Sequence, residues 1–303
     1  MVHMSFLKIG SKSEVRFTLM TRNSNKWGYQ PSFRRRAIRK LCKFLIFVLR
    51  LDGRSKFSNE FMQLLNPRYE VSFEGRKLQF RTGNGRLLWR AKTFLTEEPL
   101  MISWIQDMQP NDVVMDVGAN VGIFTVPIAQ KVNGVYACEL DPLNVAILKE
   151  NLVLNAVHDR VFIIPNACGE KLAAVEIKFR DLAYGDALQS IAGGDTFDSI
   201  LGNMPHTTKN LQISLDELFL NLDLKWPNKI KVDVDGNEET VLSGMKNLLA
   251  RANEIYFEDS GTNACRRFVE FLSSLGFIEF DRIEIFSTDG KGRSNGFNRI
   301  FKK

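Results

Sequence analysis

From residue 112 to the C-terminus the chain alternates short apolar runs with longer segments of helical period, and nothing else constrains its fold as strongly. DVVMDV (112–117), GVYACEL (134–140), VFIIPNA (161–167), KIKVDVDG (229–236) and EIYFED (254–259) read as strands. NVGIFTVPIAQK (120–131), PLNVAILKENLVLN (142–155), ISLDELFLNL (213–222), NEETVLSGMKNLLA (237–250) and NACRRFVEFLSSLGF (263–277) read as helices, with Pro127 a candidate kink in the first of them. Further strands are expected over 173–180, 277–286 and 297–303. Repeated βα units of this kind predict an α/β fold, a parallel sheet covered by helices. In such sheets ligands sit beyond the carboxyl ends of the strands, near the switch in strand order. Strand ends are therefore where functional residues are sought.

Three segments surround this core. YEVSFEGRKLQFRT (69–82) alternates about a turn at Glu74-Gly75 and predicts a hairpin. Pro99 opens a helix through Trp104 to Met108, with Glu97 and Glu98 at its start. Residues 181–210 are polar and glycine-rich and read as a long loop, a length that is uncommon and often functional. The resulting division is a basic extension over 1–60, an approach or lid segment over 61–110 and a ligand-binding domain over 111–303.

Charge is unevenly shared. Residues 1–60 hold 14 Lys and Arg against 3 acids, so the overall net charge of +6 conceals a mildly acidic body with net −5. On that ground a nucleic-acid partner is not expected of the body. Residues 1–31 read as irregular, and RRRAIRKLCKFLIFVLRL (34–51) as a short basic amphipathic helix. Its apolar run is far below the ~20 residues of a bilayer span. Three fates are open to it: packing on the body, lying on an anionic membrane surface, or acting as a targeting presequence. Cys42, Cys138, Cys168 and Cys265 form no CxxC pair, which argues against structural zinc and for a reducing, cytoplasmic setting.

Four strand ends carry chemistry. In MDVGANVG, Asp116 ends a strand while Gly118 and Gly122 bracket the turn into a helix. The spacing is GxxxG, not the GxGxxG of dinucleotide sites, and Ala119-Asn120 stands where a pyrophosphate needs its close-approach glycine. A nucleoside with an amino-acid tail suits this turn better. The alternative is a tight βα turn with no ligand. Glu139 ends the next strand and is placed to accept from a ribose diol, since Asp141-Pro142 already supplies the following helix cap. Asn166 ends the third strand and offers a donor and an acceptor to an adenine edge, or merely makes a turn. Asp233, in VDVDGNEE, is placed to hold an ammonium, to orient a substrate hydroxyl, or to join Glu258 and Asp259 in an Mg²⁺ site. Asp235 or Asn237 is a candidate cap for the following helix. His206, in the long loop, is either a general base or an exposed bystander.

The set of TEEP with Trp104, VVMDVGANVGIFT, ACELDPLNVAILKENLVLN, IPNACGE, ISLDEL and PNKIKVDVDGNEETVLSGM resembles the FkbM-family methyltransferases in order and spacing. The resemblance implies a Rossmann-like, mostly parallel sheet of seven strands, the last antiparallel, with helices on both faces: the class I methyltransferase fold. It implies S-adenosylmethionine as cofactor, with Asp116, Gly118, Asn120 and Gly122 around its methionine part. Glu139 would then bind the ribose, Asn166 would lie near the adenine, and Asp233 would face the transferred methyl group. It further implies an O-methyltransferase acting on a sugar hydroxyl of a polysaccharide, glycolipid or natural product; Mg²⁺ is possible but not expected, and the sequence does not decide whether a metal is needed. The competing readings are a nicotinamide-dependent oxidoreductase and a methyltransferase fold retained only for binding.

Overall fold

The computed structural model describes residues 33–48, 56, 60, 64–179, 183–186, 190–191, 206–234, 236–286 and 294–303. The expected irregularity of 1–31, the end of the basic helix at Leu51, Asp235 and much of the 181–210 loop lie outside the described residues. Two compact units are present, Met1–Asn66 and Pro67–Lys303. In the first, helix α1 spans Phe33–Val48, as its apolar period predicts. No helix among the described residues is long and apolar enough to cross a membrane.

The second unit opens with the expected hairpin, β1 (Arg68–Phe73) and β2 (Arg76–Arg81). Its two turn residues, Glu74 and Gly75, both have positive φ (48° and 74°), the geometry that matches strand twist in two-residue turns. Helix α2 (Gly85–Thr93) was not expected; Asn84 caps it by accepting from the Leu87 N–H. Helix α3 spans Pro99–Gln106 with proline at its first position.

The central sheet has the order β12-β13-β11-β10-β3-β4-β5. Its members are β3 (Val113–Val117), β4 (Gly134–Cys138), β5 (Val161–Ile164), β10 (Lys229–Val232), β11 (Glu254–Asp259), β12 (Ile278–Phe286) and β13 (Ser294–Lys302). β5, β4, β3, β10 and β11 run parallel; β13 is antiparallel to β11 and to β12. This is the seven-stranded, mostly parallel class I arrangement, with strand order reversing at β3, between β4 and β10.

Helices α4 (Thr125–Lys131), α5 (Pro142–Leu154), α6 (Leu215–Asn221), α7 (Glu238–Ser243), α8 (Lys246–Arg251) and α9 (Asn263–Ser274) connect the strands. One apolar cluster joins the hairpin, α2, α3, α4 and α5 to one sheet face through Val114, Ala137 and Tyr256. The other joins α6 to α9 to the opposite face through Met115, Val117, Ile230, Val232, Ile255 and Phe257.

Three expectations need correction. The helix read over 120–131 begins only at Thr125, because Asn120 and Gly122 hold positive φ (49° and 78°). Pro127 is then in its first turn, where no intrahelical N–H is required, and makes no kink. The helix read over 237–250 is two helices. Asp216 of α6 takes the N–H groups of Asn247 and Leu248 and so caps α8 from outside (2.8 and 2.9 Å). The 181–210 stretch is not all loop. β9 (His206–Ile213) pairs with β7 (Ala173–Phe179) and β6 (Ala167–Cys168), with β8 (Ser190–Ile191) on the far edge of β7, in a second sheet ordered β6-β9-β7-β8.

Candidate functional site

The turn after β3 is fixed by its own backbone. The N–H groups of Gly118 and Ala119 both reach the Cys138 carbonyl (3.0 and 2.9 Å). Asn120 N–H donates to Glu139 Oε2 at 2.8 Å, Val121 N–H to Asn120 Oδ1, and Gly122 N–H to the Ala119 carbonyl. All five donors from 118 to 122 are thus used within the protein. A pyrophosphate would need such donors free, so the turn does not suit a dinucleotide. It does suit a ligand without phosphates. Gly118 has φ 87°, and a Cβ there would lie 1.7 Å from the Asp233 carbonyl oxygen. Its close approach brings the β3 turn against the end of β10. A Cβ on Gly122 would lie 2.4 Å from Leu148 Cδ1, so that glycine seats the turn on α5.

Glu139 stands just past β4 and is buried. Its oxygens accept from the backbone N–H groups of Asn120 and Asp141, both at 2.8 Å. It is therefore not left free, as the cap argument suggested; the turn orients it. The Asn144 side chain donates to it as well, which leaves part of the carboxylate's acceptor capacity for a ribose hydroxyl. Burial raises its pKa to about 7, against the opposing pull of the backbone donors. Asp141 caps α5 as expected. Asn120 Nδ2 donates to the Asp186 carbonyl (2.9 Å), where Asn144 Nδ2 also arrives. Asn166, half-buried, follows β5 on the same side as Glu139.

On the other side of β3 a polar row crosses the sheet. Asp116, Lys231 and Tyr256 are register neighbours on β3, β10 and β11. Lys231 Nζ lies 3.0 Å from Asp116 Oδ1 and 3.2 Å from Asp233 Oδ2, and it donates to the Gly118 carbonyl at 3.2 Å. Thr125 Oγ1 donates to Asp116 Oδ2 at 2.6 Å. Tyr256 Oη donates to Glu98 Oε2 at 3.1 Å. Burial alone would pull the Lys231 pKa down, but the charges of Asp116, Asp233 and Glu98 outweigh it and the net shift is upward. Burial pushes Glu98 up to about 7, and the Asp233 charge adds to that.

Lys231, Tyr256 and Glu98 were not among the expected site residues. The available signal was KIKV itself: a central parallel strand is ordinarily apolar throughout, and a lysine inside one needs a partner. His206 is not gathered here. It opens β9, not a loop, and its ring stacks on Phe179 at 5.4 Å between centroids. The suggested Mg²⁺ set does not assemble either. Asp259 lies on the opposite face from Tyr256, bound to Arg299 (2.8 Å) and to the Gly261 N–H, and no carboxylate, His or Cys group among the described residues could hold a metal. Asn237 uses its amide on the Val234 carbonyl and does not cap α7. All four cysteines are free thiols.

Against known proteins, residues 91–178 match the TRM5/TYW2 methyltransferase domain. The hexuronic acid methyltransferase AglP of Haloferax volcanii is 30% identical over 191 residues, 62% of this chain and 72% of that protein. A tRNA (guanine(37)-N(1))-methyltransferase of Phytophthora infestans is 30% identical over 179 residues, 58% of this chain but only 40% of that protein. Among solved structures, methyltransferase FkbM from Methylobacillus flagellatus superposes with a TM-score of 0.43 at 13% identity, covering 65% of this chain and 44% of that one.

These relatives overturn the exclusion of nucleic acid as a partner. The charge argument failed because it averaged surface with interior. Among the described residues the buried charges are seven acids (Asp112, Asp116, Glu139, Asp186, Asp216, Glu238, Asp259) and two lysines (Lys229, Lys231). Much of the body's acidity is thus buried and does not face a polyanion at the surface.

Proposed function

The chain belongs to the class I S-adenosylmethionine-dependent methyltransferases, and within that class we propose that it is an FkbM-type enzyme that methylates an oxygen of a sugar acceptor. S-adenosylmethionine supplies, when bound, an electrophilic methyl group on a sulfonium whose leaving thioether is neutral. The chain's part is alignment, exclusion of water and handling of the acceptor's proton. Glu139 receives the ribose hydroxyls, and Asn166 meets the base on the same side. The turn from Gly118 to Gly122 borders the methionine part, with Asp116 and Lys231 beneath it. Asp233 lies at the strand-order switch, on the acceptor side of β3. The observation that carries the cofactor half of this reading is the turn whose five N–H groups are all used internally beside an oriented, buried Glu139. The acceptor half is supported by the similarity to AglP, whose aligned region takes in most of both proteins.

One observation favours a second acceptor. The match to the TRM5/TYW2 domain over 91–178, together with the tRNA methyltransferase relatives, supports a nucleic-acid base. Both readings meet in one assay. Purified full-length protein is incubated with methyl-labelled S-adenosylmethionine and either hexuronic-acid oligosaccharides or a tRNA transcript pool. Label in the oligosaccharide, lost in Glu139→Ala together with ~10–100-fold weaker cofactor binding, is the expected result. Label in the tRNA alone replaces the sugar reading with the second one.

A further inference from the structure

We propose that Glu98 is the group that takes the proton from the acceptor atom, and that this atom is therefore a neutral O–H or N–H and not a carboxylate; the inference rests on the methyltransferase reading above. Glu98 occupies the N-cap position of α3, yet its side chain makes no cap hydrogen bond there. It accepts from Tyr256 Oη instead. Through that bond it joins the polar row one strand beyond Lys231, on the sheet face that also carries Asp116. Glu139 and Asn166 follow β4 and β5, on the opposite side of β3. The crevice thus has a nucleoside end and an acceptor end, and Glu98 belongs to the second.

The charges at the acceptor end do not balance. Asp116, Asp233 and Glu98 surround one ammonium, that of Lys231. Like charges in such a cluster force one member to hold its proton. Asp116 and Asp233 touch Lys231 at 3.0 and 3.2 Å. Among the described residues Glu98 hydrogen-bonds only to Tyr256, so Glu98 is the member that can take up and release a proton. The groups that bear on it are Tyr256 of β11, Lys231 of β10, Asp233 just past β10, and Arg90 of α2. Burial and Asp233 raise its pKa, while Lys231, Tyr256 and Arg90 moderate the rise, leaving it at about 7. A carboxyl that titrates there can act as a base at neutral pH. Beside Asp233 and an ionised Glu98, an acidic acceptor atom would be repelled and would need no base.

In the step, the acceptor's lone pair forms the new O–C or N–C bond. The C–S bond breaks with its electron pair going to sulfur, so the sulfonium charge disappears. The acceptor's proton passes to a Glu98 oxygen, and Glu98 later returns it to water. Nothing is oxidised or reduced.

Two cofactor analogues test this without an acceptor. S-adenosylhomocysteine lacks the methyl group, and sinefungin carries an ammonium close to where that group would be. Full-length wild type, Glu98→Gln and Tyr256→Phe are titrated with each by calorimetry from pH 5.5 to 8.5. In wild type the preference for sinefungin should rise about tenfold through pH 7 as Glu98 ionises. Glu98→Gln should bind S-adenosylhomocysteine within about threefold of wild type while the pH-dependent preference flattens. Tyr256→Phe removes a donor that favours the ionised carboxylate, so the midpoint should move upward. A merely structural role would weaken both analogues together and leave their ratio alone. An unchanged pH-dependent preference in Glu98→Gln overturns the proposal and leaves the methyltransferase reading standing. Should Glu98→Gln fail to fold, an unmoved midpoint in Tyr256→Phe overturns it equally. Wild type that binds neither analogue sinks the cofactor reading, and the proposal with it.

Discussion

The two faces of β10 and β11 are made from alternate residues of the same two strands, and their chemistry is opposite. One face presents Ile230, Val232, Ile255 and Phe257, all fully buried, with Phe257 stacked on Phe268 of α9 at 4.5 Å. The other presents Lys229, Lys231, Glu254 and Tyr256. There Lys229 pairs with its register neighbour Glu254 at 2.7 Å, and Trp104 Nε1 donates to the same carboxylate. Lys231 and Tyr256 lie one pleat further toward the strand ends. The apolar face asks only for volume and shape. The polar face asks for particular partners, since a buried charge that loses its counter-charge is left without solvent. One face serves to hold the sheet together, and the other aims the site.

The largest break in this contrast should come from Lys231→Met. It leaves Asp116 and Asp233 without their shared ammonium and is expected to cost about 3–5 kcal/mol. Urea denaturation would read this, and cofactor binding by the folded fraction should fall with it. A loss below about 1 kcal/mol would show that solvent or a relaxed geometry already screens the row.

A smaller effect should appear in the pH dependence of stability. Glu98 and Glu139 both have pKa values raised from 4.5 to about 7. The folded state holds these two protons more tightly than the unfolded chain. Their contribution to stability is therefore greatest below about pH 4.5, declines as pH rises toward 7 and is level above that. Each shift is worth on the order of 1–3 kcal/mol, with half-buried Glu98 at the lower end. Thermal melts between pH 5 and 8 should show the decline, and Glu98→Gln should make it shallower. An identical slope in that variant would mean that Glu98 titrates normally.

The smallest effect sharpens the contrast from the apolar side. Ile230→Val, one residue from Lys231, should cost only about 0.5–1.5 kcal/mol. It should leave affinity for S-adenosylhomocysteine unchanged in calorimetry, because Ile230 belongs to the face that does not aim the site. A clear loss of affinity there would mean that the two faces are coupled through the strand.

Much of the molecule follows from local sequence. The short apolar runs of 113–117 and 254–259 and the helical period of 142–154 are written in the chain. So are the Glu74-Gly75 turn, the Asp141-Pro142 start of α5 and the Gly118–Gly122 spacing that points away from a dinucleotide. These depend on residues a few positions apart. What tertiary structure alone decided depends on residues far apart. Lys231 meets Asp116 because β10 and β3 pair in one particular register. Tyr256 meets Glu98 across 158 positions. Asp216 of α6 splits a continuous helical pattern into α7 and α8, and β9 draws His206 out of a presumed loop onto Phe179. A periodic pattern tells a strand which residues share a face. It does not tell the strand which neighbour it will lie beside, and the charge partners of this site are set by that pairing.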